Sequence, residues 1–202
     1  MEYNMVVNKQ SKSTKKTNKA KLKFRLAKAE EMDEVWRLDR MNLEENWNYF
    51  PATTRPMTKA ELIRHHFTII DRWFDPQKHR IVVALLDEKI VGIIWYTVDV
   101  DVLFNVNLGF LFSIVVDPEY RGLGIGKKLL REFKNRSKRA GAKYVRLAVL
   151  HNNIKALNLY RQMGFFDDTH YMLARLEPTA PEKAKQAAKK RKALAQAKNK
   201  QG

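Results

Sequence analysis

The chain has no cysteine among its 202 residues and no apolar run long enough to cross a membrane. The absence of thiols excludes disulfides, thiolate metal sites and cysteine nucleophiles together. A membrane helix needs about 18 or more consecutive apolar residues, whereas the run over residues 90–98 stops at Asp99. The N-terminal residues are polar and lysine-rich without an apolar signal region. We therefore expect no secretion and predict a cytoplasmic location.

Metal-binding spacing is also missing. The five histidines, His65, His66, His79, His151 and His170, show no H-E-x-x-H or similar pattern. A zinc site of that kind needs two imidazoles one helical turn apart with an acidic neighbour. We interpret the histidines as structural or surface residues and expect no metal.

Positive charge is in excess, and most of it lies at the two ends. The formal net charge is +17, of which residues 1–25 carry +7 and residues 177–202 carry +6. Both ends lack the apolar periodicity that buries a core, so we predict disordered tails, the second helical in part. We predict a basic tail over 1–21, one domain over 22–176 and a Lys/Ala-rich basic tail over 177–202. The tails could contact ribosomal or other RNA, with affinity that falls as salt rises, or could simply solubilise the protein.

Residues 113–165 organise the domain as strand, glycine turn, helix, strand and helix. An apolar strand over 110–116 ends at Asp117-Pro118, and three glycines then lead into a helix with an apolar stripe. A glycine turn that opens a helix presents free backbone N–H groups to an anion, above all a phosphate. The spacing matches neither a P-loop, because Lys128 stands where Ser or Thr is needed, nor the G-x-G-x-x-G dinucleotide fingerprint.

Two motifs resemble those of the GNAT acyltransferase superfamily. Arg121, Gly124 and Gly126 form R-x-x-G-x-G after a V-D-P-x-Y strand end, which resembles the family's acetyl-CoA loop. The second motif consists of Asn153, Ala156, Tyr160 and Gly164-Phe165. The resemblance covers about residues 22–176 and implies an α/β (α+β) fold, a single domain whose mixed, mostly antiparallel sheet is flanked by helices.

Hydrophobic periodicity and capping signals predict the individual elements. We expect strands over 22–27, 80–86, 90–97, 108–116 and 143–150, with a last pair around Phe165 and over 171–176. We expect helices over 30–38, 59–74, 124–140 and 153–163, the second opened by a capping box of Thr58 and Glu61. Residues 41–50 and 99–107 are predicted to be irregular.

The resemblance implies an acetyl-CoA-dependent N-acetyltransferase and assigns the residues that contact the cofactor. The backbone of the central strand would pair with the pantetheine arm through Ile114, Val115 and Val116. The loop would hold the pyrophosphate through Arg121, Gly122, Leu123, Gly124, Ile125, Gly126 and Lys127. Asn153 would also face the cofactor. Tyr160 would donate a proton to the leaving thiolate; the alternative is a core aromatic residue.

The general base is not fixed by the motifs. The bacterial enzymes that acetylate a ribosomal protein's N-terminal alanine carry a glutamate where this chain has Ala148. The catalytic subunits of archaeal and eukaryotic N-terminal acetyltransferases carry a segment similar to Leu43-Glu44-Glu45-Asn46-Trp47, with the catalytic glutamate at Glu45. Trp47, Tyr49 and Phe50 would then bound the peptide site. Asp99 and Asp101 are alternative bases, and Glu45 could simply be part of an acidic helix end.

These resemblances predict acetyl transfer to a primary amine, above all a protein N-terminal α-amino group. Two alternatives stay open. One is a small-molecule amine acetyltransferase, and the other is a non-catalytic RNA- or ribosome-binding protein that shares the fold.

Overall fold

The computed structural model describes residues 21–51, 55–172 and 183–190. The strands are β1 (Leu22–Leu26), β2 (His79–Leu86), β3 (Lys89–Asp101), β4 (Val106–Val116) and β5 (Tyr144–Leu147). The helices are α1 (Met32–Asn46), α2 (Lys59–Trp73), α3 (Ile125–Arg139) and α4 (Ile154–Gln162). Short 3-10 turns cover Ala29–Glu31, Trp47–Tyr49 and Pro118–Tyr120, and residues 183–190 are helical and exposed.

The five strands form one sheet in chain order. The first four are antiparallel neighbours, and β5 alone runs parallel to β4. Two parallel neighbouring strands need a crossover connection. Here α3 lies in the segment of the chain that connects β4 to β5. The predicted mixed, mostly antiparallel sheet flanked by helices is therefore confirmed.

Strand periodicity divides the core into two layers, since alternate side chains point to opposite faces. One cluster joins α1 and α2 to the sheet through Val35, Leu38, Ile70, Ile81, Val83, Leu85, Ile90, Ile93, Trp95 and Val115. The other joins α3 to the opposite face through Val82, Ala84, Val91, Ile94, Tyr96, Leu111, Ile125, Leu129, Leu130 and Phe133. The sheet thus separates an α1–α2 face from an α3–α4 face.

Several predicted boundaries were wrong. Helix α1 does not stop at Leu38 but continues to Asn46, and β3 and β4 extend so far that only residues 102–105 separate them. The capping box is confirmed: Thr58 Oγ1 accepts from the Glu61 N–H (3.2 Å) and the Thr58 N–H donates to Glu61 Oε2 (2.7 Å). Among the described residues none after Leu147 is in a strand, so the strand predicted around Phe165 was wrong, while the one predicted over 171–176 lies mostly outside the described residues.

The predicted tails lie largely outside the described residues. Residues 1–20, 173–182 and 191–202 are not described, so the domain limits of 22 and 176 and the disorder of the tails stay predictions. Among the residues that are described, no helix is both long and apolar enough to cross a membrane.

Candidate active site

The central feature is the point where β4 and β5 separate. The two strands pair only from Leu108 opposite Tyr144 to Leu111 opposite Leu147. Strand β4 continues to Val116, paired on its other side with β3, so its last residues have a free edge toward the α4 side. The register also shifts between Trp95 and Tyr96, opposite this point. A wedge between two diverging parallel strands results.

A cleft of about 250 Å³ occupies this wedge. Its walls come from α1, β4, the segment after β5 and α4. The lining residues are Asn42, Leu43, Asn46, Phe50, Leu111, Phe112, Ser113, Ile114, Leu147, Ala148, Val149, Leu150, Asn153, Ala156 and Tyr160. Among these described residues there is no carboxylate, and the polar groups are amides, one serine and one tyrosine.

A chain of side-chain hydrogen bonds crosses the cleft. Asn42 Nδ2 donates to Ser113 Oγ (3.1 Å), and Asn46 Nδ2 donates to Asn42 Oδ1 (3.2 Å). Asn153 Nδ2 donates to Asn46 Oδ1 (3.2 Å), while Asn153 Oδ1 caps α4 by accepting from the Ala156 N–H (3.2 Å). The chain ties α1 to β4 and to the start of α4, which explains why α1 continues beyond its last apolar residue.

The glycine loop lies between the end of β4 and the start of α3. Gly122 and Gly124 have φ values of +81° and +74°, and a Cβ at either would have no heavy atom within 4 Å. Such a conformation favours glycine, and the open surroundings leave the backbone accessible. Gly124 is the N-cap of α3, so the first N–H groups of that helix lack intrahelical acceptors. Lys127 is exposed beside them.

Arg121 and Glu45 form an ion pair beside the loop. Arg121 Nη2 donates to both carboxylate oxygens of Glu45 at 2.9 Å, and Arg121 Nε donates to the Val116 carbonyl at 2.9 Å. Both side chains of the pair are 44% exposed. Glu45 is not among the lining residues of the cleft, although its neighbours Leu43 and Asn46 are.

Tyr160 lines the cleft from α4. Its ring makes an edge contact with Phe165, with the ring centroids 5.9 Å apart. Burial raises the pKa of Tyr160 to about 12 because the charged phenolate loses hydration. The hydroxyl is therefore protonated at neutral pH, and it lies in the same cleft as Asn153.

The other predicted residues are only partly brought together. Of the three predicted peptide-site aromatics, Phe50 lines the cleft, whereas Trp47 stacks under the Arg55 guanidinium (4.5 Å to the ring centroid). Tyr49, like Trp47, is not among the lining residues. Ile114 lines the cleft, Val115 is buried on the α1–α2 face, and Val116 packs on the α3 face.

The two alternative bases lie in the β3–β4 hairpin. Asp99 Oδ1 accepts from the Val100 N–H (2.7 Å). Asp101 accepts from the Phe104 N–H (3.0 Å) and pairs with Arg146 (3.0 Å). These contacts, the Phe104 hydrogen bond first, hold the pKa of Asp101 below its usual value. Neither carboxylate lines the cleft.

A second compartment of about 260 Å³ adjoins the cleft on the α2 side. Its lining residues are Asp39, Asn42, Leu43, Asn46, His66, Ile69, Ile70, Trp73, Trp95, Phe112 and Ser113. Five of them, Asn42, Leu43, Asn46, Phe112 and Ser113, also line the cleft. The two spaces thus share the wall that contains the Asn42–Ser113 hydrogen bond.

The sequence did not predict any role for Asp39, Asn42, His66 or Ser113. Asn42 and Asn46 have the i, i+4 spacing of one helical face, a signal that a longer α1 would have revealed. Asp39 and His66 are 27 positions apart on different helices, so no local pattern could join them. Among the described residues, no cluster of three or more His, Cys, Asp or Glu side chains could hold a metal ion.

Comparison with known proteins identifies the family. The model of the acetyltransferase (GNAT) family matches residues 40–165, and the chain belongs to that family. A bovine (Bos taurus) thialysine N-epsilon-acetyltransferase is 42% identical over 60 residues, which cover 30% of this chain and 35% of the relative. A mycothiol acetyltransferase of Kocuria rhizophila is 32% identical over 94 residues, 46% of this chain and 31% of the relative. The chain thus spans about a third of these curated relatives.

The fold is similar to that of solved structures. A putative acetyl transferase from Pyrococcus furiosus superposes with a TM-score of 0.64 at 22% identity, over 77% of this chain and 100% of the other. A likeness at this identity concerns the fold alone.

Proposed function

We propose that the protein is an acetyl-CoA-dependent N-acetyltransferase whose acceptor is a primary amine, above all a protein N-terminal α-amino group. The observation that carries the proposal is the wedge between β4 and β5. The free edge of β4, the open glycine loop and Tyr160 all border it or adjoin it. Family membership supports the same chemistry.

The residues present fit the cofactor. The edge of Ile114–Val116 that β5 does not cover offers backbone groups to an extended pantetheine arm, as a β-strand would offer them to a neighbour. The Val116 carbonyl on it already accepts from Arg121 Nε. The loop from Gly122 to Lys127 offers backbone donors and a positive charge to the pyrophosphate. Bound there, acetyl-CoA would supply an activated acetyl thioester.

Tyr160 fits the role of general acid. Its pKa of about 12 keeps the hydroxyl protonated at neutral pH. The hydroxyl is therefore able to donate its proton to the thiolate that leaves in the reaction. Asn153, the N-cap of α4, would orient the cofactor, with its amide already held by Asn46. Glu45 would have to leave Arg121 to serve as base, and its role stays a prediction.

The acceptor could instead be a small-molecule amine, and one observation favours this second candidate. The curated relatives are named for thialysine and for mycothiol, neither of which is a protein N-terminus. Phe50 and the aromatic side chains of the second compartment suit an acceptor with an apolar group in either case. A cytoplasmic location and an RNA contact through the basic tails belong to the protein-substrate version of the proposal.

Intact-mass analysis tests the proposal and separates the two candidates. A library of short peptides, each with a free N-terminus and a different first residue, is incubated with acetyl-CoA and the full chain. A panel of small amines, thialysine included, runs in parallel. Gains of one acetyl group at particular peptide N-termini support the protein substrate, and acetylation confined to small amines supports the alternative. Absence of acetyl transfer to every amine would contradict the enzymatic function itself.

A further inference from the structure

The second compartment contains a buried carboxylate that meets an imidazole. Asp39 Oδ2 and His66 Nε2 are 2.7 Å apart. The Asp39 side chain is 4% exposed, whereas that of His66 is 28% exposed. Both side chains line the compartment, and the imidazole is the more exposed of the two.

Contact with Asp39 fixes which nitrogen of the ring is available. A buried carboxylate accepts a hydrogen bond, so Nε2 carries the proton that it donates. In the neutral ring, Nδ1 then keeps a free lone pair and can accept a proton. A carboxylate that holds a histidine in one tautomer and stabilises the imidazolium is an arrangement that general-base catalysis uses repeatedly.

The surroundings leave few other proton acceptors. Among the described residues that line the cleft or the compartment, the titratable side chains are Tyr160, Asp39 and His66. Burial raises the pKa of Tyr160 to about 12, so its hydroxyl is protonated near neutral pH, and Asp39 is already hydrogen-bonded to His66. From β3 and β4 the compartment receives Trp95, Phe112 and Ser113, which do not titrate near neutral pH.

We propose that His66, positioned by Asp39, accepts the proton that the acceptor's ammonium group must lose before it can attack. The ammonium N–H bond breaks, its electron pair stays on the amine nitrogen, and the proton moves to His66 Nδ1. From there it passes to solvent through the exposed side of the ring. The inference rests on the proposed acetyl transfer and assigns the base to α2, while Tyr160 acts from α4 on the other side of the cleft.

The first test measures turnover of the full chain and three variants, on a free amine from the peptide library or the amine panel that the wild-type protein acetylates. His66→Gln should lower kcat at least about 100-fold, the usual contribution of a general base. The rise of kcat with pH that reports the neutral base should disappear with it. Asp39→Asn should lower kcat by at least about 10-fold and at most about 10⁴-fold, with little change in KM, because the ring loses its fixed tautomer. His65→Gln, an exposed neighbour on α2, should have no effect.

Two further readouts separate a base from a structural pair. Added imidazole should restore activity to His66→Gly, which a purely structural role does not predict. Long-range ¹H–¹⁵N spectra of the ligand-free wild-type protein should show a neutral His66 ring protonated at Nε2. A neutral ring protonated at Nδ1 would overturn the assignment even if no variant of His66 folds.

The outcomes distinguish the inference from the function on which it rests. If the wild-type protein acetylates no amine, the proposed function fails and the inference fails with it. If the wild-type protein acetylates its acceptor and a folded His66→Gln variant keeps its rate, only the inference is overturned.

Discussion

The two faces of the sheet differ in how their chemistry is encoded. On the α3–α4 face, the glycine loop, the cap Asn153 and Tyr160 belong to two continuous segments, and their positions are set mainly by neighbours a few residues away, such as the Ala156 N–H that Asn153 caps and the Phe165 ring beside Tyr160. On the α1–α2 face, the contacts join distant residues, as in the Asn42–Ser113 bond over 71 positions and the Asp39–His66 pair over 27. The α3–α4 face, where we propose that the cofactor binds, is thus encoded mainly by local sequence. The α1–α2 face, where we propose that the acceptor binds, depends on how distant segments pack.

The largest expected effect comes from a substitution in the glycine loop, on the face whose chemistry is encoded locally. Gly124→Glu places a carboxylate in an open, left-handed position at the N-terminus of α3. We expect the Kd for acetyl-CoA to rise at least about 100-fold, or ~2.7 kcal/mol, because the carboxylate repels the pyrophosphate. Calorimetry measures the affinity.

Gly141→Glu is the matched control. Gly141 also has a positive φ, +84°, and lies at the other end of α3, so it carries a similar backbone penalty away from the loop. Its affinity for acetyl-CoA should stay normal. Unchanged affinity in a folded Gly124→Glu variant would contradict the phosphate role of the loop.

Tyr160→Phe tests the acid on the same face. The ring and its contact with Phe165 remain, so the variant loses only the hydroxyl group and with it the proton donor. We expect turnover to fall about 10- to 1000-fold with acetyl-CoA affinity nearly intact. Because burial raises the pKa of Tyr160 to about 12, its deprotonation should not lower kcat below about pH 10. Tyr120→Phe, whose hydroxyl meets Lys89 at the surface, should leave turnover unchanged.

This division explains what the sequence could predict. The order of most strands and helices and the capping box of α2 follow from spacing and turn chemistry, whereas the expected places of Tyr160 and Asn153 came from the family resemblance. The end of α1 does not follow from spacing, because Asn42 and Asn46 in its last turns have partners on β4 and at the start of α4. The aromatic segment after α1 was expected to bound the peptide site, but only Phe50 lines the cleft, since the Trp47 ring packs with Arg55.

The same limit applies to charged residues. Glu45 matched a family segment, yet its carboxylate meets Arg121, 76 positions away. The histidines had no motif, and only the packing of α1 against α2 brings His66 to Asp39. Sequence spacing predicts which residues lie on one face of a helix or in a loop. Which charged residue pairs with which depends instead on the helices and strands that pack against each other.

Asn153→Ala probes the joint between the two faces. The variant loses both the α4 cap and the bond to Asn46. We expect the free energy of unfolding to fall by about 1 kcal/mol, which lowers Tm by about 2–4 °C in a protein of this size. Asn158→Ala, an exposed position on the same helix, should be nearly neutral. If the two variants are equally stable in thermal and urea unfolding, Asn153 does not stabilise the contact between the two faces.

The smallest expected effect decides between the two candidate bases. Glu45→Gln keeps the side chain's shape but removes its charge from an exposed ion pair, which contributes about 0–1 kcal/mol. If His66 is the base, kcat should change less than about 3-fold and keep its dependence on pH. Glu44→Gln, which loses only a helical pair with Arg40, is the matched control. Both variants are compared with His66→Gln in kcat–pH profiles on one peptide. A fall of about 100-fold in Glu45→Gln, with the acidic limb altered and the control unaffected, would return the role of base to Glu45. It would also show that the ion pair between Glu45 and Arg121 opens during turnover. In that case the family resemblance would have identified the base correctly, although the contacts of Glu45 in the ligand-free protein do not indicate that role.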